Sequence, residues 1–232
     1  MLNPTRIEIT AQTKAFIGGA KGTIAVIIAT NSGYQKKAGT PCRGKFTEGL
    51  LDCEQIFRTL NIKPGLTILD AGCGNGYMSK RFSNQVAPSG KVYAIDRDQY
   101  FIKSLHNETR ETHIVAMQAD ITGPTLLNES SVDIIYISTV VHIFSKPQMQ
   151  GFLREVKRLL KLDALLAIVE IEKKETPFGP PLKQRYSAEE LKEIVPLVPI
   201  DTVKVGEHFY MQIFQNKENQ ETTRICYRAK NL

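Results

Sequence analysis

The chain has 232 residues, 42% hydrophobic and 23% charged, with a formal net charge of +6. This suits a soluble globular protein with enough residues for one full α/β core. The composition argues against a membrane-spanning chain: the longest apolar stretch, 15–29, is short, is broken by Gly18, Gly19 and Gly22, and carries Lys21.

The N-terminus shows no convincing signal peptide, so a cytoplasmic location is the default expectation. The four cysteines, Cys42, Cys53, Cys73 and Cys226, form no C-x-x-C pair and have no histidine at zinc-ligand spacing. They read as reduced thiols, and no metal site is expected. The charge is uneven. Residues 1–47 hold seven of the 30 basic residues and one of the 24 acidic ones, so the remainder is balanced. A basic arm can recruit anionic partners such as RNA, or simply be a solvated extension.

Residues 1–42 read as a separate basic extension, with residues 43–232 forming the main domain. Within the extension, 6–10 alternates like a strand and 23–30 is β-branched and apolar, with turn signals at 18–19 and 31–33. A small hairpin acting as a lid fits this pattern, as does a leader. Residues 29–45 read as a loop. From 48 to 60 the pattern is helical, with Leu50, Cys53, Phe57 and Leu60 on one face. Lys63-Pro64-Gly65 prevents its continuation.

Strands and helices then alternate. Strands are expected at 66–69, 91–95, 114–117 and 132–137, and helices at 77–84, 99–107 and 148–160. Residues 164–171 form a nearly continuous apolar run, as in a central parallel strand buried on both faces. Ser187 to Glu190 is a capping box that opens another helix. The runs 202–205 and 209–214 are separated only by Gly206-Glu207-His208, which suits an antiparallel hairpin.

The most informative stretch is Asp70-Ala71-Gly72-Cys73-Gly74-Asn75-Gly76. An acidic residue closes a strand, glycines follow at alternate positions, and a helix starts. Glycine allows the sharp turn and the close approach of a ligand, and the helix N-terminus presents unpaired N–H groups. The spacing departs from the dinucleotide fingerprint, whose third small position falls on the bulky Tyr77. Asp96 ends the second strand where a ribose-binding carboxylate belongs.

The D-x-G-x-G-x-G pattern, with Asp96, Asp120-Ile121 and Ser138-Thr139-Val140-Val141-His142 at later strand ends, resembles the class I S-adenosylmethionine (SAM) methyltransferases. The likeness covers about residues 43–217. It points to the ubiquinone/menaquinone C-methyltransferase-like group, also called methyltransferase type 11. It implies a Rossmann-like, doubly wound α/β fold: a mostly parallel seven-stranded sheet ending in an antiparallel hairpin.

It also implies roles. Asp70 holds the methionine ammonium; Gly72, Gly74 and Gly76 line the turn; Asp96 takes the ribose hydroxyls, with Arg97 stacking on adenine. Asp120 and Ile121 read the adenine edge, and Ser138 contacts the methionine end. His142 is the candidate base, the alternative being a histidine that shapes the pocket. Glu172, Phe178 and Tyr186 are candidates for the acceptor pocket. The Asn/Asp-Pro-Pro-Tyr/Phe motif of amide N-methylation is absent after the fourth strand.

The leading expectation is a methyl transfer from SAM to a small molecule by in-line displacement, yielding S-adenosylhomocysteine (SAH). An RNA or protein methyltransferase recruited by the basic arm, and a SAM-binding regulator without turnover, are the alternatives.

Overall fold

The computed structural model describes residues 47–110 and 112–217. The expected extension, its hairpin and the 29–45 loop fall outside these residues, as do Cys42 and Cys226.

The elements follow in the order α1 (Cys53–Thr59), β1 (Thr67–Ala71), α2 (Tyr77–Val86), β2 (Lys91–Asp96), α3 (Gln99–Glu108), β3 (Ile114–Gln118), β4 (Val132–Ser138), α4 (Lys146–Leu159), β5 (Leu160–Ile171), α5 (Ala188–Ile194), β6 (Val198–Lys204) and β7 (Phe209–Gln215). Short 3-10 turns stand at Val141–Ile143 and Leu182–Gln184.

Seven strands form one sheet in the order β3-β2-β1-β4-β5-β7-β6. The first five are mutually parallel, and β7 runs antiparallel to both β5 and β6. The strand order reverses between β1 and β4. Such a switch point opens a crevice at the carboxyl ends of the strands, where ligands of open α/β sheets bind.

The central strands are buried on both faces, which is why they read as apolar runs. On one face Ile68, Ile134 and Tyr136 pack under α1, α2 and α3. On the other Leu69, Ile135 and Ile137 pack under α4 and α5. Phe82 of α2 meets Phe57 edge-on at 5.7 Å and Tyr136 at 5.0 Å. Such pairs add about 0.5–1.5 kcal/mol each beyond burial, and they fix α2 against β4.

The boundaries refine the sequence reading. The first helix is shorter than 48–60: Asp52 caps it by accepting from the Gln55 N–H, and residues 48–50 form a turn. The helix expected at 148–160 starts two residues earlier, capped by a Ser145–Gln148 box with Pro147 in its first turn. β6 begins at Val198 and includes Pro199, which an edge strand tolerates because one side of it needs no partner.

Candidate cofactor and acceptor site

The glycine turn is built over the end of β2. The N–H groups of Gly72 and Cys73 both donate to the Ile95 carbonyl, at 2.8 and 2.9 Å. Gly72 and Gly76 have φ of +73°, which strains any L side chain. A Cβ on Gly72 would stand 2.8 Å from Val140 Cγ2, and one on Gly76 2.4 Å from Leu105 Cδ1. The backbone therefore fits closely between the end of β4 and α3.

Asp70 lies under this turn and is only 3% exposed. Its carboxylate accepts from the Ser79 hydroxyl in the first turn of α2. The residue thus ties the end of β1 to the first turn of α2. Burial pushes its pKa up to about 7; the Ser79 hydroxyl opposes this and the nearby Asp96 charge adds to it.

Asp96 is partly exposed at the end of β2. Its Oδ2 accepts from the Gly74 N–H at 3.0 Å and its Oδ1 from the Asp98 N–H at 2.8 Å. A carboxylate has about four acceptor positions, so both oxygens keep capacity for hydroxyl donors. Arg97 is exposed beside it.

After β3, Asp120 Oδ1 takes both the N–H and the hydroxyl of Thr122, at 2.9 and 2.7 Å. Its Oδ2 has no partner among the described residues. The Ile121 side chain is buried in the core, so what it can offer a ligand is its backbone. This loop is anchored to α4 from two sides. Glu155 accepts from the N–H and hydroxyl of Thr125, at 2.8 and 2.6 Å, and Gly151 lies directly against the Thr122 carbonyl.

Tyr136 is the register partner of Asp70, and Ser138, two residues on, shares its face. Both hydroxyls are buried and complete no hydrogen bond among the described residues. Burial pushes the Tyr136 phenol up; the neighbouring Ser138 hydroxyl offsets this only in part, and the Asp70 charge adds to the rise. Leaving such groups unmet costs about 1–3 kcal/mol each. Thr139 follows with a φ of +55°, an uncommon conformation for a β-branched residue and one that clusters at functional sites. A buried carboxylate, two orphaned hydroxyls and a side-chain-free cradle fit the aminoacyl end of SAM.

The ring of His142 lies in the 3-10 turn after β4. Its Nδ1 stands 2.9 Å from Oε2 of Glu170, whose side chain is fully buried. Glu172 has its carboxylate 2.7 Å from Lys174 Nζ. Phe178 is exposed and meets the rings of His208 and Phe209 at 5.5 and 6.0 Å. Tyr186 is half-buried against the α4–α5 core, and its carbonyl accepts from the Tyr210 hydroxyl at 2.7 Å.

Three contributors escape a reading of the sequence. Tyr136 looks like one more apolar strand residue. Glu170 stands out only as a lone carboxylate in the apolar run 164–171, a signal that was available. Arg185 is buried, and its guanidinium donates to the carbonyls of Glu172, Lys174, Phe178 and Pro180 and to the Thr176 hydroxyl. It ties the whole segment after β5 into one loop. Among the described residues no group of three His, Cys, Asp or Glu could hold a metal ion, and no helix is long and apolar enough to cross a membrane.

Sheet order, crevice and strand-end residues define a class I methyltransferase fold. Residues 68–163 match the family described as Methyltransferase domain. A demethylmenaquinone methyltransferase of Lactobacillus johnsonii is 27% identical over 128 residues, covering 53% of this chain and 51% of that protein. The match thus spans about half the length of this curated relative. Among solved structures, a SAM-dependent methyltransferase from Aquifex aeolicus is similar with a TM-score of 0.66 and 29% identity, covering 76% of this chain and 94% of that one. A type 11 methyltransferase from Sulfolobus solfataricus gives 0.63 and 24%, over 74% and 96%, and at that identity speaks to the fold alone. Residues 68–163 thus carry a methyltransferase domain, and the chain has the class I methyltransferase fold.

Proposed function

We propose that the protein transfers a methyl group from SAM to a small-molecule acceptor, as a cytoplasmic enzyme. The observation that carries this reading is the row of groups along the carboxyl edge of β3-β2-β1-β4. Asp120, Asp96, Asp70 with its glycine turn, and Ser138 follow one another in the order adenine, ribose, amino acid and methyl end. The bound cofactor supplies an electrophilic methyl on a sulfonium, so the protein has to align, desolvate and accept a proton.

Each residue then has a task. Asp70, Tyr136 and Ser138 receive the ammonium and carboxylate end. Asp96 takes the ribose hydroxyls through its remaining lone pairs, with Arg97 at the adenine face. Asp120 Oδ2 and the Ile121 N–H hold the adenine edge. Gly72, Gly74 and Gly76 let the ligand lie against backbone. Glu172, Phe178 and Tyr186 line the acceptor side, and His142 is the base. The small-molecule assignment is supported by the sequence resemblance and by the relative named for demethylmenaquinone.

The test is calorimetric titration with SAM and SAH, followed by a mass-spectrometric screen for products heavier by one methyl group. Binding with product formation supports the proposal. Binding without any methylated product, across a broad acceptor panel, would favour a non-catalytic SAM sensor.

A further inference from the structure

Tyr77 opens α2 at a position where the dinucleotide fingerprint has a small residue. Its N–H donates to Asn75 Oδ1 at 3.1 Å, and the Arg81 guanidinium lies over its ring at 3.9 Å. The phenol oxygen stands 3.8 Å from Cys53 Sγ and faces the backbone N–H of Gly49. Beside it, Asn75 Nδ2 is 3.5 Å from Glu48 Oε2. Two side chains at the end of the glycine turn thus hold residues 48 and 49.

The same segment is fastened at its other end to the turn between β6 and β7. The Asp52 N–H donates to the Val205 carbonyl at 2.8 Å, and a Cβ on Gly206 would stand 2.5 Å from the Leu50 carbonyl oxygen. From that turn the contacts run on to the loop after β5. The His208 carbonyl accepts the Glu172 N–H at 2.9 Å, and the Phe178 ring packs on those of His208 and Phe209. Residues 48–52 are therefore a strap between the glycine turn and the segment proposed to line the acceptor side. Within the strap only Leu51 is buried; Glu48, Gly49 and Leu50 are exposed. A stretch held by so few buried side chains opens locally at low cost, so whatever steadies one end of it biases the other.

We propose that Tyr77 is a positioning residue which, through this strap, makes order on the acceptor side depend on an occupied cofactor site. This rests on the methyl-transfer reading above. A ligand lying against Gly72, Gly74 and Gly76 steadies the start of α2, and with it Asn75 and Tyr77. These hold Glu48 and Gly49, and the strap then keeps the Leu50 carbonyl on Gly206, steadying the turn against which Phe178 rests. The acceptor loop is set once the cofactor is in place and loosens when the product cofactor leaves. An acceptor is thereby gripped only when a methyl group is there to receive. The phenol oxygen is the atom this requires: a phenylalanine at the same position keeps the ring and its contact with Arg81 but gives Gly49 nothing to meet.

Amide hydrogen exchange of the full-length protein, with and without saturating SAH, tests this. In the wild type SAH should slow exchange in 70–77 and also, by about 5-fold or more, in 48–52, 172–180 and 204–209, segments that carry no assigned cofactor contact. Tyr77→Phe should keep the slowing in 70–77 and lose most of it in the other three segments. Gly206→Ala, which displaces the Leu50 carbonyl, should keep it in 48–50 and lose it in 172–180 and 204–209. A Tyr77 that served packing alone would change exchange equally with and without SAH. Slowing confined to 70–77 in the wild type would overturn the inference, as would a remote response retained in full by either folded variant. Folded wild-type protein that shows no slowing anywhere, and no heat on titration with SAH, would instead sink the cofactor reading and the inference with it.

Discussion

Asp96 and Gly74 are joined at the carboxyl edge of the sheet: the carboxylate at the end of β2 accepts the backbone N–H in the middle of the glycine turn, at 3.0 Å. The residue proposed to hold the ribose therefore also shapes the loop that carries the amino acid end. Asp96→Ala should weaken SAM binding by about 1–3 kcal/mol, the cost of leaving polar partners unmet. Calorimetry on the folded variant reads this directly, and an unchanged affinity would remove Asp96 from the site.

In its proposed role at the ammonium of SAM, Asp70 makes cofactor binding proton-linked. With its pKa pushed up to about 7, it is mostly protonated at pH 6 in the free protein. An ammonium group brought beside it favours the ionised form and expels the proton. Titrations with SAM at pH 6, in buffers of differing ionisation enthalpy, should show release of close to one proton. Asp70→Asn should abolish the release. The sign for stability is the reverse of a salt-bridged aspartate. The folded pKa lies above the ordinary aspartate value of 3.8, so the folded state holds the extra proton and this group's contribution is lost as pH rises from about 4 to about 7. Melting temperatures across that window should fall more steeply in the wild type than in Asp70→Asn.

Gly151 couples the helix layer to the proposed adenine loop. It lies inside α4, where glycine is normally unfavourable by about 1 kcal/mol relative to alanine. Here a Cβ would come within 1.9 Å of the Thr122 carbonyl oxygen, a clash with backbone that no side-chain rotation relieves. Gly151→Ala should destabilise the fold by about 1–3 kcal/mol, the usual cost of overpacking, and lower SAM affinity by displacing Asp120 and Ile121. Denaturant unfolding together with calorimetry checks both. A stabilised variant with unchanged affinity would contradict the packing account.

Arg185 organises the segment after β5, the proposed acceptor side. Its five protein partners, four carbonyls and one hydroxyl, are spread from Glu172 to Pro180. Lysine cannot reproduce a planar fork of donors. Arg185→Lys should raise the acceptor KM and speed amide hydrogen exchange in 172–185, leaving SAM affinity intact. Unaltered exchange in that segment would mean the loop is held by other contacts.

Much of this was legible in the chain itself, because the features involved are local. The alternation of apolar runs with helical patterns marks the parallel sheet, Ser187 to Glu190 marks α5, and the spacing from Gly72 to Asp96 is set by one βαβ unit. What was not legible depends on register and burial. The pairing of Asp70 with Tyr136, and hence the two orphaned hydroxyls, follows only from how β1 and β4 align. Glu170 reaches His142 across β4 and β5, 28 residues apart in sequence. The helix expected at 148–160 begins two residues earlier because Pro147 sits in its first turn, behind the Ser145 cap.

The most direct test of the central claim is calorimetric titration of the purified protein with SAH. The account predicts saturable one-to-one binding that is weakened in Asp96→Ala and retained in His142→Ala. No binding by protein shown to be folded would contradict it, leaving a methyltransferase fold whose crevice serves another ligand.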